Sequence, residues 1–318
     1  MTENRKLKVT IMIPVYNQAR YIREAIDSAL MQTYSNLEVI VGDDASTDAT
    51  AKIVAEINDP RLRYMRNSNN LGRTGNYKNL LYNHATGDYV VNLDGDDYYT
   101  DPDFISEAVK LIKDDPKVVM VTARASWKAS KKIIISDIPD IKQTDGLHIV
   151  KNLPNEKYFL KHMTSLYKRD VAVKIDFYNT NALSSDWSSL YRLSLCGTTK
   201  YLNKTVGTWR IHDQNESSSI DIKKLLVNLE IWPLIYKDAI NHGMHLCYAK
   251  IKCIQCLNYF ASSYITKISL NGNTHVVCFL ISFFKAYKAA ILPFILTPYC
   301  VARLILSFAG YYRKKRIS

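Results

Sequence analysis

Two short clusters of aspartates each follow an apolar run of this 318-residue sequence. The first cluster follows Leu37–Val41 and the second follows Tyr89–Leu93. The five side chains are Asp43, Asp44, Asp94, Asp96 and Asp97. Carboxylates that lie close together raise one another's pKa, and a divalent cation such as Mg²⁺ or Mn²⁺ relieves the repulsion. The pattern indicates metal-assisted chemistry, and the alternative is that these aspartates only form turns and helix caps.

The elements that must position these aspartates alternate between strand and helix over residues 8–125. The expected strands are Lys8–Val15, Leu37–Val41, Arg61–Met65, Tyr89–Leu93 and Val118–Thr122. The expected helices are Tyr21–Met31, a helix capped by Ser46–Asp48 and ending near Ile57, Thr74–Asn83 and Pro102–Lys113. Apolar strands separated by helices indicate an α/β fold with a mostly parallel sheet covered on both faces. Ligands of such sheets bind beyond the carboxyl ends of the strands, where both aspartate clusters are expected.

Later segments give weaker signals for secondary structure. Ile133–Ile135 is a candidate edge strand and Val206–Ile211 another strand, while long helical patterns begin near Ile220. The first strand is not followed by G-x-G-x-x-G, and the sequence contains no Walker A motif. Both observations disfavour a classical dinucleotide-binding fold and a P-loop NTPase. Any bound phosphates are therefore expected to be held through a metal.

Five sequence blocks occur in one order along residues 8–215. They are VTIMIPVYNQARYIREAIDSALMQTYSNLEVIVGDDASTDAT, NNLG, GDYVVNLDGDD, SSDWSSLYRL and WRIH. Together they closely resemble the family 2 inverting glycosyltransferases, which have the GT-A fold. The resemblance does not extend beyond about residue 220. We therefore predict a GT-A domain over 1–218 and a helical, basic region over 219–318.

The resemblance implies a nucleotide-binding wall that is built mainly from strand ends. The residues it assigns there are Pro14, Val15, Tyr16, Asn17, Asp44, Arg73, Asp94 and Gly95. Asp44 would accept a hydrogen bond from a uracil ring, and Asp94 would contact the ribose. The segment Gly72–Asn76 departs from the Ala-Arg-Asn run of many relatives, which bears on the diphosphate contact expected of Arg73.

The resemblance also implies a metal site and a catalytic base. Asp96 and His212 would hold Mn²⁺ or Mg²⁺, and Asp97 and Trp187 would border the donor-sugar pocket. Asp186 would be the base that removes the proton from the attacking acceptor hydroxyl. A metal would stabilise the departing diphosphate, and attack from the face opposite the leaving group would invert the anomeric carbon.

Several of these assignments have structural alternatives. Many relatives carry Glu-Asp where this chain has Ser185–Asp186, and Asp186 could be a solvated residue at a helix start. His212 could simply end a strand. Cys253 and Cys256, with the nearby His242 and His245, resemble a zinc arrangement, although a shared buried helix face accounts for the cysteine spacing.

The charge distribution separates the end of the chain from the rest. All 30 acidic residues lie at or before Asp238, and the last 80 residues hold ten of the 42 Lys and Arg residues. The apolar stretch Val276–Gly310 is punctuated by cations and followed by Tyr311–Arg316, a pattern typical of an in-plane anchor on an anionic membrane. The alternative is that its apolar face packs on the catalytic domain or on a second copy in a homodimer. Its longest charge-free run, Ala289–Ala302, is shorter than the roughly 20 residues of a spanning helix.

These features predict a non-processive enzyme, because the Q-x-x-R-W block of processive polysaccharide synthases is absent. It would transfer one hexose or N-acetylhexosamine from a UDP-sugar to a hydroxyl of a glycan or polyprenyl-linked acceptor in surface-polysaccharide assembly. The alternatives are a nucleotidyltransferase-like enzyme and a non-catalytic nucleotide-sugar-binding subunit. The polar start and the six scattered cysteines favour a reducing, cytoplasmic location, on the inner membrane face. No nucleic-acid partner is expected, since the cations alternate with bulky aliphatic residues.

Overall fold

A computed structural model describes residues 6–129, 132–212, 215, 220–270, 275–296 and 301. Within these residues, ten strands form one mixed sheet. They are β1 (Val9–Val15), β2 (Leu37–Asp43), β3 (Leu62–Arg66), β4 (Tyr89–Asn92), β5 (Tyr98–Tyr99), β6 (Val118–Ala129), β7 (Lys132–Ile135), β8 (Gln143–Asp145), β9 (Ser165–Lys168) and β10 (Thr198–Trp209). The main order is β3-β2-β1-β4-β9-β6-β10-β5, with β7 beside β6 and β8 beside β10. This arrangement confirms the predicted α/β class.

The parallel strands β3, β2, β1 and β4 bring the predicted binding residues to one edge of the sheet. Strand β1 pairs with β2 so that Val15 lies opposite Asp43, and the strand ends therefore coincide. Both strands are buried along their whole length, which is the pattern of a sheet covered on both faces. Strand β4 pairs with β1 only as far as Met12 and Asn92, so the loop that follows it lies beside the end of β1.

Twelve helices cover the described parts of the sheet or pack beyond it. They are α1 (Ile22–Leu30), α2 (Thr50–Ala55), α3 (Arg73–Asn79), α4 (Phe104–Ile112), α5 (Gly146–Asn152), α6 (Arg169–Lys174), α7 (Ser185–Ser194), α8 (Ile222–Leu229), α9 (Ile231–Asn241), α10 (Leu246–Leu270), α11 (Val276–Ala286) and α12 (Ile291–Leu296). The four helices predicted before residue 125 are all present, but α3 gives way to a π-helical turn at Leu80–His84. Of the predicted cap triplet, Asp48 accepts the N–H of Thr50 (2.9 Å), while Ala49 occupies the N-cap position of α2.

The structure differs from the predicted elements mainly between residues 125 and 215. Strand β9 was not predicted and lies antiparallel between β4 and β6. It has only four residues and lies between two short helical segments, so it is too short to give a strand pattern. Strand β10 begins eight residues before the predicted Val206, because its first part alternates polar and apolar residues. The predicted Ile133–Ile135 edge strand is confirmed as the exposed strand β7.

Helix α9 packs on α7 and α5 of the α/β layers, α10 packs on α9, and α8, α11 and α12 contact α10. One buried apolar cluster contains Met12 of β1 and Tyr191 of α7 together with Trp232 of α9 and Phe283 of α11. The described α11 buries Val276, Phe279 and Phe283 and contacts α8 and α10 of the same region, so the membrane-anchor prediction stays a prediction. The searched helices include none that is both long and apolar enough to cross a membrane. The terminal cations of Tyr311–Arg316 lie outside the described residues.

The zinc alternative at Cys253 and Cys256 is not supported. Both cysteines lie on α10, and burial raises the pKa of each thiol to about 12, which opposes the thiolate that zinc requires. The Sγ atom of Cys256 lies 3.4 Å from the hydroxyl of Tyr236 instead. Across the described residues, no three His, Cys, Asp or Glu side chains are grouped so that they could hold a metal ion by themselves.

Candidate active site

A cavity of about 620 Å³ lies at the carboxyl edge of the parallel strands. Ten residues predicted from the sequence line it. They are Pro14, Val15, Tyr16, Asp44, Arg73, Asp94, Asp96, Asp97, Asp186 and Trp187. The other three are not among the lining residues: Gly95 contacts Pro14, His212 contacts Asp96, and Asn17 directly follows Tyr16 and bonds Ser46. The fold therefore collects side chains from distant parts of the sequence at one site.

The two aspartates after β2 have different environments. The carboxylate of Asp43 is fully buried and is bonded to Ser46 N–H, the Tyr64 hydroxyl and the Arg66 guanidinium. Asp44 lines the cavity, and only its Oδ1 atom accepts protein hydrogen bonds among the described residues, from Asn67 and Leu71. Asp43 is therefore a structural residue, and Asp44 keeps an oxygen with which it can accept a hydrogen bond from a ligand.

The loops after β1 and β2 hold each other in unusual backbone conformations. Asn17 and Ala45 are non-glycine residues with positive φ, at 53° and 63°. The side chain of Asn17 accepts the N–H of Thr47 (2.7 Å), and its own N–H donates to the hydroxyl of Ser46 (2.9 Å). Such conformations persist only where surrounding contacts stabilise them, and they are common at binding sites. Asn17 thus shapes the wall that carries Tyr16 and Asp44.

The loop after β4 lies tightly against β1. The N–H of Gly95 donates to the carbonyl of Pro14 (3.1 Å), and a Cβ atom at Gly95 would lie 2.4 Å from the Gln18 side chain. Asp94 accepts hydrogen bonds from the Tyr77 hydroxyl (2.7 Å) and from Asn92 (2.8 Å). A larger residue would have to displace the end of the Gln18 side chain and would crowd Val15, so glycine allows the close approach of this loop to β1.

Asp96 and Asp97 are buried carboxylates that lie close to a third. Burial raises the pKa of Asp96, the charge of Asp94 raises it further, and the hydrogen bond from His212 opposes both effects. Burial also raises the pKa of Asp97 well above its ordinary value, with added repulsion from Asp96 and Asp94. The N–H of Arg210 donates to Asp97 (2.9 Å). Concentrated negative charge of this kind is stabilised by a cation.

Asp96 and His212 fit the predicted metal-binding role. The Nε2 atom of His212 lies 2.8 Å from Oδ2 of Asp96, and the imidazole stacks on Tyr21 with the ring centroids 5.0 Å apart. One carboxylate and one imidazole suit Mn²⁺, and Mg²⁺ is commonly held by one or two carboxylates together with substrate phosphates. The pair could therefore hold a metal whose remaining ligands come from a nucleotide diphosphate or water.

Asp186 lies in the first turn of α7 and is half-buried in the cavity wall. Within the described part of the chain, its carboxylate makes no hydrogen bond or ion pair to protein. The buried serines of α7 face the protein interior, which leaves Asp186 and Trp187 on the cavity side. The positive end of the helix dipole favours a negative charge at this position. An unengaged carboxylate facing the shared cavity is suited to accepting a proton from a substrate.

Two polar side chains hold the loop that leads to Asp186. Arg73 donates to the carbonyls of Ala182 (3.3 Å) and Leu183 (2.5 Å), an arrangement that the sequence did not suggest. From the other side, buried Asn228 of α8 accepts the N–H of Ser184 (2.6 Å) and donates to the Ser184 hydroxyl (3.1 Å). The basic helical region therefore contributes directly to the position of the predicted base, and the diphosphate contact of Arg73 stays a prediction.

Replacing Asn228 with alanine is expected to lower kcat by about 10- to 100-fold, because small displacements of a catalytic group have effects of this size. The change leaves the Ser184 N–H without its partner, at a cost of roughly 1–3 kcal/mol. The KM for the donor should change little, since Asn228 bonds Ser184 and is not among the residues that line the cavity. Steady-state kinetics test this, with exposed Asn241→Ala as the matched control. An unchanged kcat in Asn228→Ala would show that the loop does not depend on α8.

Several cavity residues were missed by the sequence analysis. They are Gln18, Tyr77, Trp127, Lys161, His162 and Asn215. Tyr77 lies four residues after Arg73, and a helix that began at Arg73 would have placed the two together; in α3 the guanidinium does lie over the ring, with 5.6 Å from Arg73 Cζ to the ring centroid. Lys161 and His162 carried no signal, because they lie at a short turn before β9.

Comparison with known proteins identifies the family. Residues 10–177, more than half of the chain, match the family model described as glycosyl transferase family 2. The chain belongs to this family. The prediction made from the five sequence blocks is thereby confirmed, and this family 2 chain has the predicted GT-A fold with a C-terminal helical region.

Relatives and solved structures agree with that assignment. A hyaluronan synthase of Pasteurella multocida is 28% identical over 246 residues, which cover 75% of this chain and 24% of that protein. The structure of S. aureus TarS 1-349 in complex with UDP-GlcNAc superimposes with a TM-score of 0.71 at 19% identity, covering 98% of this chain and 92% of that one. The mannosyltransferase PcManGT from Pyrobaculum calidifontis, in complex with GDP-Man and Mn²⁺, gives a TM-score of 0.57 at 19% identity and covers 98% and 88%. The family 2 chain spans 57% or less of the length of the curated relatives it matches.

Proposed function

We propose that this chain transfers a single sugar from a UDP-linked donor to an acceptor hydroxyl, with inversion at the anomeric carbon. The observation that carries the proposal is the position of Asp186, whose carboxylate faces the same cavity as Asp44, Asp94 and Asp96. A nucleotide-binding module would need the strand-end aspartates but not an additional unengaged carboxylate in the same cavity. The presence of Asp186 in the same cavity as the strand-end aspartates supports a reaction at the donor sugar.

In this mechanism the base comes from α7 and most donor-binding residues come from the ends of β1, β2 and β4. Asp44 and Tyr16 bind the base and ribose, and Asp94 orients the ribose near the diphosphate. Asp186 accepts the proton of the acceptor hydroxyl as its oxygen attacks the anomeric carbon, and the nucleoside diphosphate leaves with the bonding pair. Asp96 and His212 would hold a Mn²⁺ or Mg²⁺ ion, which would supply positive charge for that leaving group. A single base on the acceptor side corresponds to inversion.

The proposed donor is a UDP-sugar. The spare oxygen of Asp44 matches the N–H donor of a uracil ring, and the TarS structure that shares this fold was solved with UDP-GlcNAc. PcManGT binds GDP-Man on the same fold, so the comparison must include guanine nucleotides. We propose UDP-glucose or UDP-N-acetylglucosamine as the first donors to test, with Asp97 and Trp187 beside the sugar.

The acceptor is proposed from the remaining features of the chain. A lipid-linked or free glycan of a surface polysaccharide fits an enzyme with an apolar, basic end that contacts the inner membrane face. The described helices of that region pack on the chain itself, so such contact would involve exposed residues such as Val277 and Ile281 of α11 together with the terminal cations. Homodimer formation through this surface is the competing possibility.

Thermal unfolding with UDP, GDP, dTDP and CDP, each with and without Mn²⁺, tests the donor site. A ligand that binds only the folded state at one hundred times its Kd stabilises it by about 2.7 kcal/mol. We expect UDP with Mn²⁺ to give the largest rise in Tm, and we expect Asp96→Asn to abolish the effect of the metal. Exposed Asp140→Asn is the matched control. Equal shifts with all four nucleotides would contradict the role of Asp44.

The reaction class is tested by the products. Transfer of a sugar releases UDP, whereas a nucleotidyltransferase releases pyrophosphate, and the two are separated by anion-exchange chromatography. The anomeric configuration of the product, read by NMR, then decides between inversion and retention. A product that keeps the donor configuration would contradict the proposed single-base mechanism.

A further inference from the structure

Lys161 is a cavity residue for which the proposed mechanism has no use. It lies immediately before the short helical turn His162–Thr164 and lines the same cavity as Asp186. In the described part of the chain, its ammonium group makes no hydrogen bond and no ion pair within 4.0 Å. Ammonium groups have three N–H donors, so a lysine in this position is ready to bind an acceptor atom.

Three aromatic rings surround the Lys161 ammonium group. The Nζ atom lies 5.8 Å from the ring centroid of Trp127, 5.9 Å from Phe159 and 5.8 Å from Trp187. The rings come from β6, from the turn after α5 and from α7, so only the folded chain assembles them. Ring faces attract a cation but leave its hydrogen-bond donors unsatisfied. The rings therefore fix the position of the charge without neutralising it.

The electrostatic surroundings also leave this charge incompletely compensated. Burial lowers the pKa of Lys161, while Asp186 and Glu156 oppose the shift. Neither carboxylate forms an ion pair with Nζ, and Glu156 accepts the hydroxyl of Tyr259 (2.5 Å). An anion bound next to Nζ would accept hydrogen bonds from the ammonium group in place of the water that burial removes. Hydrogen bonds between two charged groups are stronger than those between neutral groups.

The nucleotide end of the cavity is served by other residues. The proposed diphosphate site lies at Asp94, Asp96 and His212, and Arg73 donates to backbone carbonyls of the loop before Asp186. Lys161 instead shares Trp187 with the expected sugar pocket and interacts electrostatically with the proposed base. An anion held by Lys161 would therefore belong to the sugar or to the acceptor, next to the reacting hydroxyl.

We propose that Lys161, held by Trp127, Phe159 and Trp187, forms a subsite for a carboxylate or phosphate group of the substrate beside Asp186. This inference rests on the proposed function and deepens it by stating a chemical class. The anion has two possible sources, which are a carboxylate on the donor sugar and a phosphate or carboxylate on the acceptor. The subsite makes the enzyme selective for an acidic substrate over its neutral counterpart.

Matched pairs of ligands distinguish the two sources. Isothermal titration calorimetry in Mn²⁺ compares UDP-glucuronic acid with UDP-glucose as donors. With UDP and Mn²⁺ saturating, the same measurement compares glycerol 3-phosphate with glycerol. We expect the anionic member of at least one pair to bind roughly 10- to 100-fold more tightly, the range of hydrogen bonds to charged groups. The pair that shows the preference identifies the source.

Variants of the lysine complete the test. Lys161→Met should remove the preference and leave the affinity for UDP itself within twofold, while Lys161→Arg should keep part of it. Exposed Lys151→Met is the matched control and should behave as the wild type. If UDP binds but neither pair shows a preference that depends on Lys161, the subsite is wrong and the proposed function stands. If UDP itself does not bind, the proposed function fails and the subsite fails with it.

Discussion

Substitution of Asp186 with asparagine is expected to reduce kcat by roughly 10²- to 10⁴-fold, the contribution of a positioned general base. Asparagine keeps the shape of the side chain but cannot take the proton of the acceptor hydroxyl. The carboxylate has no protein hydrogen bond or ion pair among the described residues, so its loss should leave the fold intact. Steady-state release of UDP measures the loss, and calorimetric titration with UDP should give a Kd within twofold of the wild type.

The control for this variant is Asp140→Asn, which removes an equally sized charge from an exposed position. Its kcat and its Kd for UDP should both match the wild type. Transfer by Asp186→Asn at the wild-type rate would refute the assignment of the base. If the wild type binds UDP-sugars but never transfers the sugar, the chain is a binding subunit, and the variant would have no rate to lose.

Replacement of Trp232 with alanine is expected to lower the free energy of unfolding by about 3–5 kcal/mol, the usual range for large aromatic residues in a core. Trp232 is 1% exposed and stacks on Phe260 with ring centroids 4.7 Å apart. It also contacts Tyr191 and Trp187 of α7, at 6.2 and 6.4 Å between ring centroids. The change removes the ring that joins α9 and α10 to the helix that carries the proposed base. Chemical denaturation followed by tryptophan fluorescence and circular dichroism measures the effect.

Ile281→Ala is the matched control, because Ile281 lies on α11 with 63% of its surface exposed. Its unfolding free energy should remain within about 0.5 kcal/mol of the wild type. A destabilisation below 1 kcal/mol in Trp232→Ala would contradict the packing of α9 on α7. Loss of only the C-terminal helical signal, with the sheet still folded, would instead support the predicted division at residue 218.

The expected effects of the Asp186 and Trp232 substitutions both concern helix α7. Helix α7 presents Asp186 to the cavity on one side and contacts Trp232 on the other. Asn228 bonds the residue that precedes this helix, and Arg73 holds the same loop from the nucleotide side. The helical region beyond residue 220 thus supports the position of the proposed base. This explains why the region is expected to affect turnover although the family model ends at residue 177.

Much of the parallel half of the fold and of the nucleotide wall could be predicted from the sequence. Uninterrupted apolar strands such as Val9–Val15 are a local signal, and the residues that end them must lie at the carboxyl edge of the sheet. The sequence therefore predicted that Tyr16, Asp44, Asp94 and Asp96 share one site, and all four line the cavity. Even there, the different roles of Asp43 and Asp44 could not be predicted. Asp43 is bonded to Tyr64 and Arg66, which are its neighbours only in the folded chain.

The surroundings of Lys161 were decided by tertiary structure. Lys161 follows no motif, and the rings around it come from three separate elements, so no periodicity of the sequence could reveal the group. The same holds for the apolar face of α11, whose pattern fits a membrane surface and a protein core equally well. Its burial against the chain depends on what the other helices leave uncovered. Local patterns determine which faces of an element are apolar and where chains turn, whereas only the packed structure determines which surfaces meet.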